Sequence, residues 1–541
     1  MINGTIHTDE CSVDMGEIEG LLKSLNTSCA VGHVQFQTSG FKIINYSGKA
    51  FTNKGVFVSD NAVPGLLKAQ GVAAVNIGFS YSEGRRLDYE GNVKVTSSEV
   101  IAKKIYSGLE SLDSNATSEF FFKTDDEGVR YGGLASFDSG KIVLKDGIEG
   151  LESLDGDVRA DLEFQGIGTT KGSFQGNAVI TGGTIKAGAI LEGVESIEGP
   201  AYLKARFSGG QDIPSQYEGE LEVTDAKFSA SGIFEGVRSM VGKVDGNICF
   251  KSQSGGLSTF KGLANMTNVS FAAGRIYPGI RELSGNGLIQ LEFEKDLDDN
   301  VLYEGEIQVI RGVLGLEVIA KTLADITAEV SFDKDSLDIR GMTGVFGESP
   351  FEATGLLYFG KRPEINARIK SVDLSLEELG ELIIAGSPLN MLGDASLDVT
   401  IKGFYPDLDL NGEISLLGVD VRHADLKYPA KNIKGTLWLS GDSLHSEGLT
   451  MSFCDSPVEV KGEITDLSHP HFDINAFFTD IQLDYAKQML GIDIPGMIEG
   501  NGRIDLNLAG NLKEIWAEGT LDIPELNYEI EDKLINVSNI K

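Results

Sequence analysis

Apolar and polar residues alternate along this chain with a period of two. In DVRADLEF (157–164), Val158, Ala160, Leu162 and Phe164 share one face, opposite Asp157, Arg159, Asp161 and Glu163. AYLKARF (201–207) sets Ala201, Leu203, Ala205 and Phe207 together. DASLDVTIKG (394–403) does the same for Ala395, Leu397, Val399 and Ile401, and GRIDLNLAG (502–510) for Ile504, Leu506 and Leu508. Such alternation marks strands with one side apolar and the other wet. The dipeptides NG, DG, GG and KG separate the runs at hairpin spacing and predict tight turns there. Helical spacing is confined to EIEGLLKSL (17–25), SLEELGELI (375–383) and LDYAKQMLG (483–491). The expected fold class is mainly β, built from antiparallel strands with few short helices.

The pattern is periodic on a larger scale. Gly91, Gly133, Gly176, Gly219 and Gly262 each open a segment with a second glycine seventeen positions on (Gly108, Gly150, Gly193, Gly236, Gly279). Each segment closes on a phenylalanine of the apolar side: Phe122, Phe164, Phe207, Phe250 and Phe293. The opening glycines step by 42 or 43 residues. Upstream the frame fits Gly48, Gly65 and Phe79, and more loosely Gly4, Gly20 and Phe36. From Gly305, whose segment reaches Phe332, the step lengthens to 107 residues, through Gly412 to Gly519. The phrase DSLDIRGMTGVFGESPFEATGLL at Asp335 accordingly returns as DSLHSEGLTMSFCDSPVEVKGEI at Asp442. The chain therefore divides into an array of short β repeats over 1–304 and one of longer repeats over 305–541.

A 43-residue unit cannot bury its own apolar face, so successive units must stack. Strands of ordinary length predict roughly forty in the chain, more than a single core holds. The expected architecture is an elongated, twisted antiparallel repeat sheet curled into an open groove. Its apolar lining is predicted to comprise Phe79, Phe122, Leu162, Phe164, Leu203, Phe207, Ile248, Phe250, Leu291, Phe293 and Phe332. Leu397, Val399, Ile401, Ile474, Phe478, Ile504, Leu506 and Leu508 continue it. Many apolar-side positions are small (Ala160, Ala201, Ala205, Gly246, Ala395, Ala476), which favours a trough over a filled interior. A sheet folded on itself, with its interior packed by side chains, remains the alternative.

Composition narrows the function classes. The 541 residues carry 46 basic and 81 acidic side chains, a net charge of −35, and such a surface repels nucleic acid and anionic lipid headgroups alike. A hydrophobic content of 41% excludes general disorder, and 67 glycines against 13 prolines suit strands. MINGTIHTDECSV has neither the basic nor the apolar region of a leader peptide, and no run of eighteen apolar residues occurs. Of the four cysteines, Cys11, Cys29, Cys249 and Cys454, only the first two are near enough in sequence to be a disulfide candidate.

Candidate chemistry is sparse. His469-Pro470-His471 lacks further ligands and reads as a turn. DLDDN (296–300) and TDDEG (124–128) lack the spacing of a calcium loop and read as solvated hairpin tips. Glu377-Glu378 and Asp298-Asp299 have no apolar pocket to raise a pKa. Nucleophile elbows, phosphate loops and dinucleotide fingerprints are absent from the sequence. The reading is non-enzymatic, with no catalytic residue, cofactor or metal.

One resemblance adds to this. From Gly412 the order is Gly412-Glu413-Ile414, a strand from Ile433 to Leu437, Ser443-Leu444, and Val458 to Ile464. Pro470 and a stretch from Ile481 to Asp484 entering a short helix complete it. The copy from Gly305 passes through Ile326, Ser336-Leu337, Gly355, Pro363 and Leu374 to Leu379. This order resembles the repeat of the AsmA superfamily of bridge-like lipid transfer proteins, closely over 305–541 and more loosely over 1–304. The resemblance implies non-enzymatic phospholipid transport between inner and outer membranes through a continuous apolar β-groove. Its implied partners are phospholipid acyl chains, and inner- and outer-membrane docking proteins reached through terminal regions outside this chain. It also implies a periplasmic location, with anchoring to the inner membrane by a segment that this sequence, read as an internal or truncated piece, does not contain. A structural or adhesin-like β-solenoid, or an outer-membrane protein assembly factor of TamB type, are the alternatives.

Overall fold

The computed structural model describes the chain except residues 1, 16–23, 60–65, 105–107, 146–147, 169–170, 189–192, 211–213, 233–236, 254–257, 275–279, 299, 317–321, 378–388, 424–427, 468, 486–496, 512–513, 531–532 and 541. The described residues are nearly all strand, in antiparallel sheet not closed into a barrel. The strands begin with β1 (Ile2–Met15), β2 (Ser24–Ser39), β3 (Lys42–Ser59), β4 (Leu66–Ser82) and β5 (Asp88–Ala102). Then come β6 (Leu109–Asp125), β7 (Gly128–Leu144), β8 (Leu151–Ile167), β9 (Lys171–Ala187) and β10 (Val194–Gly210). β11 (Gln216–Ala230), β12 (Val237–Gln253), β13 (Thr259–Gly274), β14 (Ile280–Lys295) and β15 (Val301–Leu316) follow.

Shorter strands succeed them: β16 (Thr322–Asp333), β17 (Ser336–Phe346), β18 (Ser349–Tyr358), β19 (Glu364–Ser375) and β20 (Leu389–Leu392). Next are β21 (Asp394–Phe404), β22 (Asp407–His423), β23 (Ala430–Ser440), β24 (Ser443–Phe453) and β25 (Ser456–Thr465). The last are β26 (His471–Gln482), β27 (Met497–Glu499), β28 (Asn501–Asn511), β29 (Ile515–Ile530) and β30 (Lys533–Ile540). Two compact units result, residues 1–269 with 289–303, and residues 270–288 with 304–541.

In the first unit each strand from β1 to β12 pairs antiparallel with the next. The 43-residue period is one pair of long strands, such as β8 and β9 of 17 residues each. Thirty strands, rather than the expected forty, therefore suffice among the described residues. The excess came from assuming strands of ordinary length, whereas β1 has 14 residues and β3 has 18; nor do all the glycine dipeptides mark turns. Gly132-Gly133, Gly182-Gly183, Asp245-Gly246 and Lys261-Gly262 all lie inside strands.

Two physical roles explain those internal glycines. The first is cover. Gly48, Gly91, Gly133, Gly176 and Gly219 stand directly opposite Phe79, Phe122, Phe164, Phe207 and Phe250 on the neighbouring strand. At four of the repeat glycines the ring lies against the bare Cα. A Cβ would come within 2.7 Å of Phe79 at Gly48 and 2.8 Å of Phe122 at Gly91. At Gly176 and Gly262 the corresponding distances are 2.8 Å to Phe207 and 2.9 Å to Phe293. An aromatic ring over a cross-strand glycine restores the apolar contact that the missing side chain forfeits.

The second role is the β-bulge. Thr224 and Asp225 together oppose Asp245 alone, between the pairs Val223↔Gly246 and Ala226↔Val244. Gly182 (φ +58°), Asp225 (φ +48°) and Asn268 (φ +51°) repeat a left-handed residue at 43-residue intervals. At Asp225 the bulge N–H donates to the Asp245 carboxylate at 2.8 Å, which satisfies a group outside the ladder. Bulges recur mid-strand, as at Val95/Ser98, Phe137/Lys141 and Val309/Gly312. Each bends its strand and raises the local twist, so long strands curve around the apolar side.

The turn glycines Gly108, Gly150 and Gly193 have φ of +92°, +77° and +86°. Their carbonyls accept from the N–H groups of Lys145, Gly188 and Ser231 at 2.8–2.9 Å. Gly236 and Gly279 lie outside the described residues.

In the second unit the 107-residue step is a set of shorter strands with one interruption. β20 and β21 are parted by Gly393 (φ +121°), and β27 and β28 by Gly500 (φ +141°). These carbonyls accept from the N–H groups of Leu376 (2.9 Å) and Leu483 (3.0 Å). Leu376 and Leu483 begin the helical turns that are described within 375–383 and 483–491, whose remainders lie outside the described residues. Of the segment expected to be helical at 17–25, only Ser24 and Leu25 are described, and both are in β2. Around Gly412 and Gly519 the facing residues are Leu439 and Leu506 instead of phenylalanine.

Substituting Gly176 by Val drives the side chain into Phe207 and into the Asp161 carbonyl, which lies 2.3 Å from the Cβ position. The expected loss is about 1–3 kcal/mol, read as a lower urea midpoint by circular dichroism. Gly78→Ala, whose Cβ meets its nearest atom at 3.8 Å, leaves that midpoint unchanged or raises it slightly.

The wet face carries cross-strand ion pairs, the best formed of them at Asp398. Arg368 binds its two carboxylate oxygens at 2.7 Å each, and Lys370 lies at 3.2 Å. The Arg368 hydrogen bonds hold the Asp398 carboxyl below its ordinary value of 3.8. A depressed carboxyl stabilises above its unfolded pKa, and that contribution is lost as pH falls through the folded value. The stability advantage over Asp398→Asn is therefore expected to be level from pH 7 to 5. It should vanish only below about pH 3.8 in acid-titrated unfolding curves.

Candidate functional site

The apolar side of the sheet is the one extended surface that the sequence pattern builds. Burial follows the alternation closely: in β8, Gly156 and Val158 are buried, Ala160, Leu162 and Phe164 half-buried, and the acidic positions between them exposed. Of the predicted lining residues, Leu203, Ile248, Phe250, Phe293, Val399, Phe478 and Ile504 are fully buried. Phe79, Phe122, Leu162, Phe164, Phe207, Leu291 and Phe332 are half-buried. So are Leu397, Ile401, Ile474, Leu506 and Leu508.

Register brings these residues together within each unit. Phe164 and Phe207 lie at the same end of β8 and β10, each opposite its glycine. In the second unit Ile474, Ala476 and Phe478 face Leu508, Leu506 and Ile504. Leu397, Val399 and Ile401 face Ser371, Ile369 and Ala367. Phe478 and Ile504 pack in one cluster with Val458 and Ile481, while Leu397 packs in another with Ile326, Phe351 and Leu374.

A second aromatic row escaped the sequence reading. Tyr46, Tyr89, Tyr131, Phe174, Tyr217, Phe260 and Tyr303 each stand two residues before a repeat glycine. The signal was present as aromatic-x-Gly at the 43-residue period. The rings pack on the phenylalanine that covers that glycine: Tyr46 on Phe79 at 6.2 Å, Tyr89 on Phe122 at 5.9 Å and Tyr131 on Phe164 at 6.4 Å between centroids. Phe174 meets Phe207 in the same way at 6.2 Å. Tilted pairs of this kind add to the area they bury. An aromatic lip therefore lines one end of the strands from β3 to β10.

The interior is not uniform along the first unit. Leu154, Val158, Ile180, Ile185 and Leu203 are 1–2% exposed. The void that Leu154, Ile185 and Leu203 border, with Leu151, Leu221 and Phe250, measures about 20 Å³. That volume holds one water-sized sphere and no hydrocarbon chain. A hollow of about 790 Å³ in the same unit is lined mostly by the polar alternation, with Asp161, Glu163, Gln175, Arg206, Glu218 and Lys251 outnumbering Leu162, Phe207 and Tyr217. It has the size of a small-molecule site but belongs mainly to the wet side.

Polar atoms on the apolar side are paired. Ser98 donates to the Ala116 carbonyl at 3.0 Å, Ser114 to that of Ser139 at 2.9 Å, and Thr27 meets Thr52 at 2.8 Å. Among the described residues no buried side-chain polar atom lacks a partner.

The other candidates fall in turns or outside the described residues. Asp296 of DLDDN accepts from the N–H groups of Asp298 and Asn300 and from the Asn300 amide at 2.8–2.9 Å. These hydrogen bonds, led by the Asn300 side chain, hold its carboxyl below the ordinary value. His469 donates its N–H to Asp466 at 3.0 Å, and its own carbonyl lies 2.9 Å from His471 Nδ1. TDDEG forms the β6–β7 turn. Glu377 lies in a helical turn and Asp298 in a loop, while Glu378 and Asp299 are outside the described residues. Among the described residues no cluster of three metal-ligating side chains occurs, and no helix is long and apolar enough to cross a membrane. The backbone sets Cys11 opposite Ala30, beside Cys29, although those side chains lie outside the description. Cys249 is an exposed free thiol, and Cys454 is buried.

Comparison of the chain with known protein families, with characterised proteins and with solved structures finds no match in any of the three.

The contrast between packed and open stretches is measurable. Leu154→Ala, at 1% exposure, is expected to cost about 2–5 kcal/mol. Leu162→Ala, at a half-buried position, is expected to cost no more than about half as much. Unfolding midpoints of the two variants, side by side, check this.

Proposed function

We propose that this chain carries phospholipid acyl chains along the apolar side of its sheet, without covalent chemistry. The observation that carries this reading is the apolar side itself. In each unit it is a regular face of aliphatic and aromatic side chains, many left half-exposed among the described residues. A lipid tail in water is unfavourable by about 0.8 kcal/mol per CH₂. A long apolar lining removes that penalty, and a near-identical lining every 43 residues keeps the tail from being trapped at any one unit. The repeat order of the AsmA superfamily, which the sequence resembles, supports the same reading. It implies transport between the two membranes of a bacterial envelope, in the periplasm, with docking proteins at each membrane.

A second reading has one specific observation in its favour. The stretch around Leu154, Ile180 and Leu203 is filled by the protein's own side chains, as a β-rod with a packed interior would be throughout.

Native mass spectrometry of the protein purified from bacteria separates the two readings. Transport predicts several co-purified phospholipids per chain, reduced in Leu162→Asp and Leu291→Asp proteins that keep wild-type circular dichroism. A folded protein free of lipid overturns it in favour of the rod.

A further inference from the structure

Lys295, the last residue of β14, is the only charged side chain in the buried class among the described residues, at 7% exposed. Its Nζ donates to Glu149 Oε1 at 2.7 Å and lies 5.9 Å from the centroid of the Phe260 ring. The other oxygen of Glu149 accepts from the buried Ser258 N–H at 3.3 Å. Ser258 in turn donates its hydroxyl to Ser252 at 2.8 Å.

Glu149 arrives from far away in the sheet. It precedes β8, at the strand end shared by Leu151, Ala187, Val194, Ala230 and Met240. Lys295 and Ser258 stand at the opposite end, where Phe293 covers Gly262. Because neighbouring strands alternate in direction, the Glu149–Lys295 pair joins the two lips of the curled sheet within the first unit. Its neighbour Ile148 enters the packed interior and borders the same small void as Leu154, Leu203 and Phe250.

A buried ammonium group is tolerable only with an anion beside it. Here the anion is supplied by a turn that presents an aliphatic side chain and a carboxylate together. That is the chemistry of an anionic amphiphile, tail in the apolar interior and head on the cation. We propose that Lys295 is the headgroup site for an anionic amphiphile, and that Glu149, with Ile148, occupies it when no ligand is bound. Binding exchanges one carboxylate for another anion, carboxylate or phosphate, and parts the lips at this crossing. Occupation is exclusive, since the void left under Glu149 holds no chain. The inference rests on the acyl-chain reading above and adds to it a site with a charge preference.

Isothermal titration of the full chain with dodecyl phosphate, dodecanoate and zwitterionic dodecylphosphocholine tests it. In Glu149→Gln the internal competitor is weakened, and both anions are expected to bind about tenfold tighter than to wild type. The zwitterion should gain far less. Lys295→Arg should keep the preference for anions. The double variant Glu149→Gln/Lys295→Met, which removes both charges of this pair, should lose it. Tightening by the phosphate alone or by the carboxylate alone assigns the source of the head and upholds the site. Equal affinity of wild type and Glu149→Gln for both anions overturns it, as does a preference for anions that survives in the double variant. If these results come with co-purified phospholipid, only the Lys295 site falls. If no variant takes up any amphiphile or lipid, the acyl-chain reading falls with it.

Discussion

The structure depends on a close approach between backbone and ring. At Gly48, Gly91, Gly176 and Gly262 the ring of a phenylalanine on the neighbouring strand lies on the bare Cα, and a Cβ would be within 3 Å of it. Glycine in a strand is normally a weak point, lacking a side chain to pack. Here the neighbouring ring supplies that packing, and the aromatic residue two positions before the glycine packs on the ring in turn. Register follows from this. A slip of one residue would put every phenylalanine on the wet side and leave every glycine uncovered.

Bending depends on a different device, the extra mid-strand residue. Long strands would stay nearly straight if the ladder ran unbroken. A left-handed residue at the same phase of successive units, as at Gly182, Asp225 and Asn268, curves them toward the apolar side. Curvature brings the two lips of the first unit near enough for Glu149 to meet Lys295 at 2.7 Å. Bulges also free carbonyls, and buried hydroxyls such as Ser98 and Ser114 take hydrogen bonds to backbone oxygens on the apolar side. An apolar lining is thus kept without unsatisfied polar groups.

The same curvature divides the lining into two regimes. Where the lips meet, side chains fill the interior, and Leu154 and Ile180 are 1% exposed. Toward the aromatic lip the face is less covered, and Leu162, Phe164 and Phe207 are only half-buried. A carrier of amphiphiles requires the second regime, and a closed stretch gives it a place to be controlled. A purely structural rod would need only the first.

Much of this was legible in the sequence, because local periodicity is written residue by residue. Alternation assigned Val158, Leu162, Leu203, Val399 and Ile504 to the apolar side, and the spacing of glycine and phenylalanine marked the repeat. The pairing of those two residues was not legible, since cross-strand register is a tertiary property. Glycine dipeptides such as Gly182-Gly183 were read as turns because glycine serves turns, bulges and ring contacts alike, and only the neighbouring strand decides which. Strand number was overestimated because ordinary strand length was assumed, whereas β8 and β9 have 17 residues each. The Glu149–Lys295 contact has no local signature at all: the residues are far apart in sequence, and meet because accumulated bending carries one lip to the other. The sequence by itself determined which face is apolar and how often it repeats. Only the tertiary structure decided where that face is open and where it is filled, because burial depends on curvature summed over many strands.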